Sequence, residues 1–173
     1  MQTRRSKRPS KAKRESRPLR VGLVASRPRR RARGVTATST SFQAFVSSEA
    51  ADTEKINIIR NGIAAGVLDG MVAYLDVPKR TIFNLLHAAE STTHRLIKEK
   101  GTLDSAATER VLRVADITRL AIATFGDRQA ATRWLRTENR GLGGVAPLSL
   151  LDSEVGGTEV RRVLSAITYG GAF

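Results

Sequence analysis

The sequence predicts an all-α protein with a disordered, basic N-terminal tail, and three observations carry that expectation. From Glu54 to Ile167, apolar side chains recur at steps of three and four, the spacing of one helix face. No stretch alternates apolar and polar residues for long enough to make a strand. Charge is segregated along the chain. Of a formal net +14 over 173 residues, residues 1–34 hold fourteen Lys and Arg against one acid, Glu15, which leaves a body of 16 bases and 15 acids.

Residues 1–54 are expected to stay mostly disordered, because a charged segment poor in large apolar side chains cannot offset the entropy of ordering. Phe42–Val46 is its one candidate helix. Ile56, Ile59, Ile63 and Val67 then mark a first amphipathic helix, and Leu68, Val72 and Leu75 a second. Pro78 stops that helix and suits the first turn of a third, with Ile82, Leu85 and Leu86 inward. After a break at Ala88–Glu90, Ser91 is the expected N-cap of a fourth helix, ended by Gly101. Asp104 caps a long fifth helix with Val111, Val114, Ala115, Thr118, Ile122 and Phe125 in its stripe, stopped by Gly126. Asp127 caps a helix carrying Ala131, Trp134 and Leu135, and Thr137–Gly144 is a turn. Pro147 opens a short helix with Leu148, Leu150 and Leu151. The last helix, with Val160, Val163, Leu164 and Ile167, is expected after Gly156 and Gly157. Tyr169–Phe173 reads as a flexible apolar tip.

Composition narrows the function classes. With no Cys there is neither a disulfide framework nor a thiolate metal site, and His87 and His94 are too few for a multi-His site. No apolar run approaches the roughly 20 residues of a membrane helix. A cytoplasmic protein with no metal and no cofactor is expected. Neither histidine has a nucleophile arranged beside it, so no catalytic residues are assigned. Gly141, Gly143 and Gly144 lack the following Lys-Ser/Thr and the preceding strand of a phosphate loop.

Two short helices, a tight break and a longer packing helix are the grammar of a helix-turn-helix. Lys79–His87 would be the first of the pair and Ser91–Lys100 the recognition helix. Leu96 and Ile97, with His94 beside them, would face the core. Ser91, Thr92, Thr93, Arg95, Lys98 and Lys100 are the candidate DNA contacts: short hydroxyls for base edges, Arg95 for guanine, the lysines for phosphate. A solvated helix face with a few charges fits the spacing equally well. Lys79, Arg80 and Asn84 are the readers in the other register.

The second half, FGDRQAATRWLRTENRGLGGVAPLSLLDSEVGGTEVRRVLSAITYG over residues 125–170, resembles the signature of the Xre/MbcA/ParS antitoxins. Residues 55–125 resemble, more loosely, that family's Xre-like helix-turn-helix domain, and residues 1–54 lie outside the likeness. The resemblance implies a domain order of tail 1–54, helix-turn-helix 55–125 and a small helical toxin-binding domain 126–173. It also implies a type II antitoxin whose partner is a RES-domain toxin that consumes NAD or transfers ADP-ribose from it. Such antitoxins block the toxin with their C-terminal region, and many bind operator DNA as homodimers. The likeness favours Ser91–Lys100 as the recognition helix. It departs from the family at His94, where Arg is common, and at Ala107, where a Glu would complete a capping box around Asp104.

On this basis the expected toxin contacts are Trp134, Arg140 and the tip Tyr169, Gly170, Gly171, Ala172 and Phe173. Two glycines let the tip enter a cleft too narrow for a helix, and its aromatic rings and terminal carboxylate suit sites for a nucleotide base and a phosphate. The contrasting expectation is a stand-alone helix-turn-helix regulator. It rests on the helix pair and on the basic tail, which adds salt-dependent, sequence-blind affinity for DNA.

Overall fold

The computed structural model describes residues 41–170. Its first element already corrects the expected extent of the tail. Helix α1 (Phe42–Ser47) buries Phe42, Phe45 and Val46 against α3 and α6, with the Phe42 ring edge-on to Tyr74 at 5.4 Å. Six residues make no stable helix alone. Burial of each large apolar side chain contributes about 1.5–3 kcal/mol, and that tertiary term orders the segment. The folded body therefore begins before residue 55, while residues 1–40 of the expected tail lie outside the described residues.

Helix α2 (Asp52–Asn61) is shorter than the apolar spacing predicts. Gly62 ends it at φ +74°, and the place of a β-carbon there is taken by the Leu103 carbonyl oxygen. Ile58 is the buried residue of α2, whereas Ile56 is 46% exposed. Ile63 sits in the loop, its N–H bonded to Thr108 Oγ1 at 3.2 Å. Val67 opens α3 (Val67–Leu75), which buries Val67, Leu68, Met71 and Leu75.

Helix α4 (Lys79–Leu86) follows Pro78 as expected, with Ile82, Leu85 and Leu86 inward and Phe83 beside them. Helix α5 (Glu90–Lys98) starts one residue before the expected cap, so Ala89 rather than Ser91 is its N-cap. The long α6 (Ser105–Phe125), roughly 30 Å from end to end, is capped by Asp104, which accepts the Ala107 N–H at 2.7 Å without a capping box. Asp127 likewise accepts from Ala130 at 2.9 Å and starts α7 (Arg128–Arg136). Two 3-10 turns follow, Arg140–Leu142 and Pro147–Asp152.

The last helix, α8 (Glu154–Tyr169), corrects a reading of glycine as a breaker. Ser153 caps it, and Gly156 and Gly157 lie buried in its first turns. A β-carbon on Gly156 would fall well under 3.0 Å from the Leu150 carbonyl oxygen. Gly156 lets α8 lie flat on the 3-10 turn, and Gly157 leaves room for the Arg113 side chain.

The described residues are all-α, with no strand among them. Helix α6 is the central post: α1, α2, α4, α7, α8 and the second 3-10 turn all pack on it. The core is continuous across residue 126.

Candidate functional site

Two surfaces answer to the expected sites, and they differ in how they are built. The first is the α4–α5 pair. His87 leaves α4 in the left-handed region at φ 53°, and Ala88 donates back to the Phe83 carbonyl at 3.0 Å, so three residues turn the chain into α5. The inward set of α5 is Thr93, Leu96 and Ile97. This differs from the expectation at two positions. Thr93 is 2% exposed, with its hydroxyl donating to the Ala89 carbonyl at 2.9 Å, so it is no base reader. His94 is exposed and lies edge-on to Phe83 at 5.5 Å. The register explains the change. Residues 93, 96 and 97 share a helix face, and a small hydroxyl that satisfies itself on its own backbone fits the close approach better than an imidazole.

Ser91, Thr92, Arg95 and Lys98 are exposed along α5, and Lys100 lies beyond its end at φ 53°. Arg95 is paired with Glu99 at 3.2 Å and His94 with Glu90 at 3.5 Å. Exposed pairs of this kind hold their partners weakly.

The second surface is the C-terminal half, and α6 positions it through a buried arginine. Arg113, 7% exposed, donates to Glu109 at 2.6 Å, to Glu154 at 2.9 Å and to the Leu151 carbonyl at 3.2 Å. It pins the start of α8 and the 3-10 turn to one side of α6. Beside it, Arg110 spans the Asp152 and Leu86 carbonyls at 3.0 and 3.3 Å, and His87 Nε2 lies 3.4 Å from Asp152. At the other end, Thr124 and Thr168 hydroxyls meet at 3.0 Å, so α6 and α8 run parallel. Helix α7 is tied to the end of α3. Arg128 stacks 4.0 Å over Tyr74 and bonds the Tyr74 carbonyl at 3.1 Å, and Arg136 bonds the Asp76 carbonyl at 2.6 Å. The two halves thus share polar ties as well as a core.

Glu154 shows what these ties do to a titrating group. A hydrogen bond from Arg161 at 2.9 Å holds its carboxyl below the usual carboxylate range; partial burial opposes this and Arg113 adds to it. A depressed folded value means that the stabilisation is complete above the unfolded value, about 4.3, and is lost as pH falls through the folded one. The side chain is 61% exposed, so screening keeps the effect below about 1 kcal/mol. Thermal unfolding of the Glu154→Gln variant is expected to fall short of the parent at pH 7, with the gap closing below about pH 4. A gap independent of pH would refute this account.

The expected toxin contacts are not one cluster. Trp134 packs on Phe125, ring centroids 5.4 Å apart, near the end of α6 where Thr168 also lies. Tyr169 ends α8 with 87% of its surface exposed. Arg140, exposed in the first 3-10 turn, stands at the opposite end of α8, since that turn borders Val155 and Gly156. Gly170 turns at φ 70°, and Gly171, Ala172 and Phe173 lie outside the described residues. The spacing of residues gave no sign of Val155, which is 78% exposed in the first turn of α8.

Residues 120–170 match the family described as Antitoxin Xre/MbcA/ParS C-terminal toxin-binding domain. Over 150 residues the chain is 29% identical to the "Prs ADP-ribosylating antitoxin" of Sphingobium sp., taking in 82% of this chain and 93% of that one. The chain is similar to the Xre/MbcA/ParS antitoxins. Two proteins named "Antitoxin Xre" are also similar. That of Yersinia enterocolitica is 27% identical over 68% of this chain and 80% of its own, and that of Photorhabdus laumondii 26% identical over 65% and 77%. The Sphingobium match takes in more of the chain than residues 55–173 supply, so likeness extends into the segment that begins the folded body. The match to a toxin-binding domain supports a toxin as partner. Among the described residues, no helix is long and apolar enough to cross a membrane.

Proposed function

We propose that this antitoxin, of type II, neutralises a RES-domain toxin by placing its C-terminal end in the toxin's active site. The observation that carries the reading is the end of α8. The helix packs on α6 and buries Val160, Val163 and Leu164, yet it delivers Tyr169 almost wholly to solvent. Behind it the sequence continues Gly-Gly-Ala-Phe. A large exposed aromatic on a rigid stem is what a desolvated binding contact uses. The name of the Sphingobium relative attaches that protein to ADP-ribosylation of Prs, which agrees with a toxin that uses NAD. The test is co-expression with the product of the adjacent gene, which this reading expects to be a RES-domain toxin. Growth is expected to be restored by the full chain, and continued arrest would overturn the reading.

The same chain is read as binding its operator as a homodimer through a helix-turn-helix, α4 and α5, with Ser91, Thr92, Arg95, Lys98 and Lys100 at the DNA. The three-residue turn and the exposed polar face of α5 support this. Arg95 would exchange Glu99 for a guanine edge, so Arg95→Ala is expected to weaken operator binding by about 1–3 kcal/mol. An unchanged gel-shift midpoint would remove Arg95 from the interface. Without a toxin gene beside this one, the stand-alone regulator becomes the better reading of this pair.

A further inference from the structure

At the start of α8, Leu142 and Leu150 are half-buried along a cleft of about 410 Å³, floored by Gly156 and edged by Glu159. Val155 stands over it, 78% exposed. Among the described residues no contact accounts for so bare an apolar side chain in the first turn of a helix, where a polar or acidic residue would serve the helix better. Val155 also has a place in a larger pattern. Val155, Arg162 and Tyr169 follow at seven-residue steps, two helical turns apart, and so lie along one side of α8 over roughly 20 Å. All three are exposed. The cleft and this side of the helix fall wholly within the residues that match a toxin-binding domain.

We propose that the cleft beside Val155 is a second docking point for the toxin, filled by an apolar side chain projecting from the toxin surface. This rests on the proposed function and extends it. The strip begins at this apolar anchor, crosses Arg162 and ends at the chain terminus that blocks the active site. The anchor sets the position of α8 on the toxin, and the strip delivers the terminus at a fixed distance from it. Continuity with the toxin-binding region selects the toxin over a second copy of the chain as the occupant.

Val155→Glu tests this without threatening the fold, because an acid in the first turn of a helix is favoured by the helix dipole. Its affinity for the purified RES-domain toxin is expected to fall about tenfold or more, with thermal unfolding unchanged. Val155→Ile is expected to bind as the parent does. Parent-like binding by Val155→Glu, while a chain ending at Ile167 fails to inhibit, would overturn the docking point and leave the blocking model standing. A loss of self-association by Val155→Glu in sedimentation, with toxin affinity unchanged, would make the cleft a face between copies and also overturn it. Failure of the parent chain to bind the toxin at all would remove the proposed function and the docking point together.

Discussion

A chain ending at Ile167 is expected to fold like the full one and to lose its power to neutralise the toxin, by about a thousandfold in inhibition. The fold survives because little of it depends on the removed residues. Thr168 bonds the Leu164 carbonyl and Thr124, both at 3.0 Å near the surface, a loss of about 1 kcal/mol. Val160, Val163 and Leu164, which seat α8, remain. Function is lost because the truncation takes both aromatics of the terminus, Tyr169 and Phe173. Buried aromatic contacts at interfaces are worth about 2 kcal/mol or more each on the usual scale, and two of them reach about a thousandfold. Circular dichroism and growth under toxin expression separate the two effects. Unimpaired growth with a folded, truncated chain would sink the blocking model.

The second large effect is structural. Gly156→Ala is expected to destabilise the body by about 1–2 kcal/mol net, a fall in melting temperature of roughly 5 °C. Alanine is the better helix former by up to about 1 kcal/mol. Against this, its methyl would collide with the Leu150 carbonyl, a backbone atom that cannot step aside as a flexible side chain would. Either α8 lifts from the 3-10 turn or that turn unwinds, and overpacking of this kind costs about 1–3 kcal/mol, sometimes more. Lifting α8 also strains the ties of Arg113 to Glu154 and Leu151. A melting temperature equal to or above the parent's would show that the close approach is not required.

The elements legible in the sequence were those whose signals act locally. Asp104 and Asp127 announce helix starts because an N-cap bond needs only the next three residues. The stripe of α6 is readable because both its ends carry stop or start residues. What was hidden depends on distant partners. Phe42 and Phe45 look like isolated aromatics in a Ser/Thr-rich stretch until α3 and α6 are placed beside them. Gly156 looks like a break because a glycine that permits close packing and one that ends a helix are the same letter. On α5, the choice between Thr93 and His94 for the core turned on one residue of register, which the distance to Phe83 and Ala89 decides. For the site, the dense block over 125–170 identified the region, but residue spacing did not separate Arg140 from Tyr169, which stand at opposite ends of α8, and gave no reason to notice Val155.

The most direct measurement of the central claim takes the purified toxin proposed as partner and titrates its turnover of NAD with the full chain at several NAD concentrations. A terminus that occupies the active site must compete with the dinucleotide. The apparent inhibition constant is therefore expected to rise in proportion to NAD above its KM. An inhibition constant that does not change with NAD would place the antitoxin elsewhere on the toxin and contradict the account.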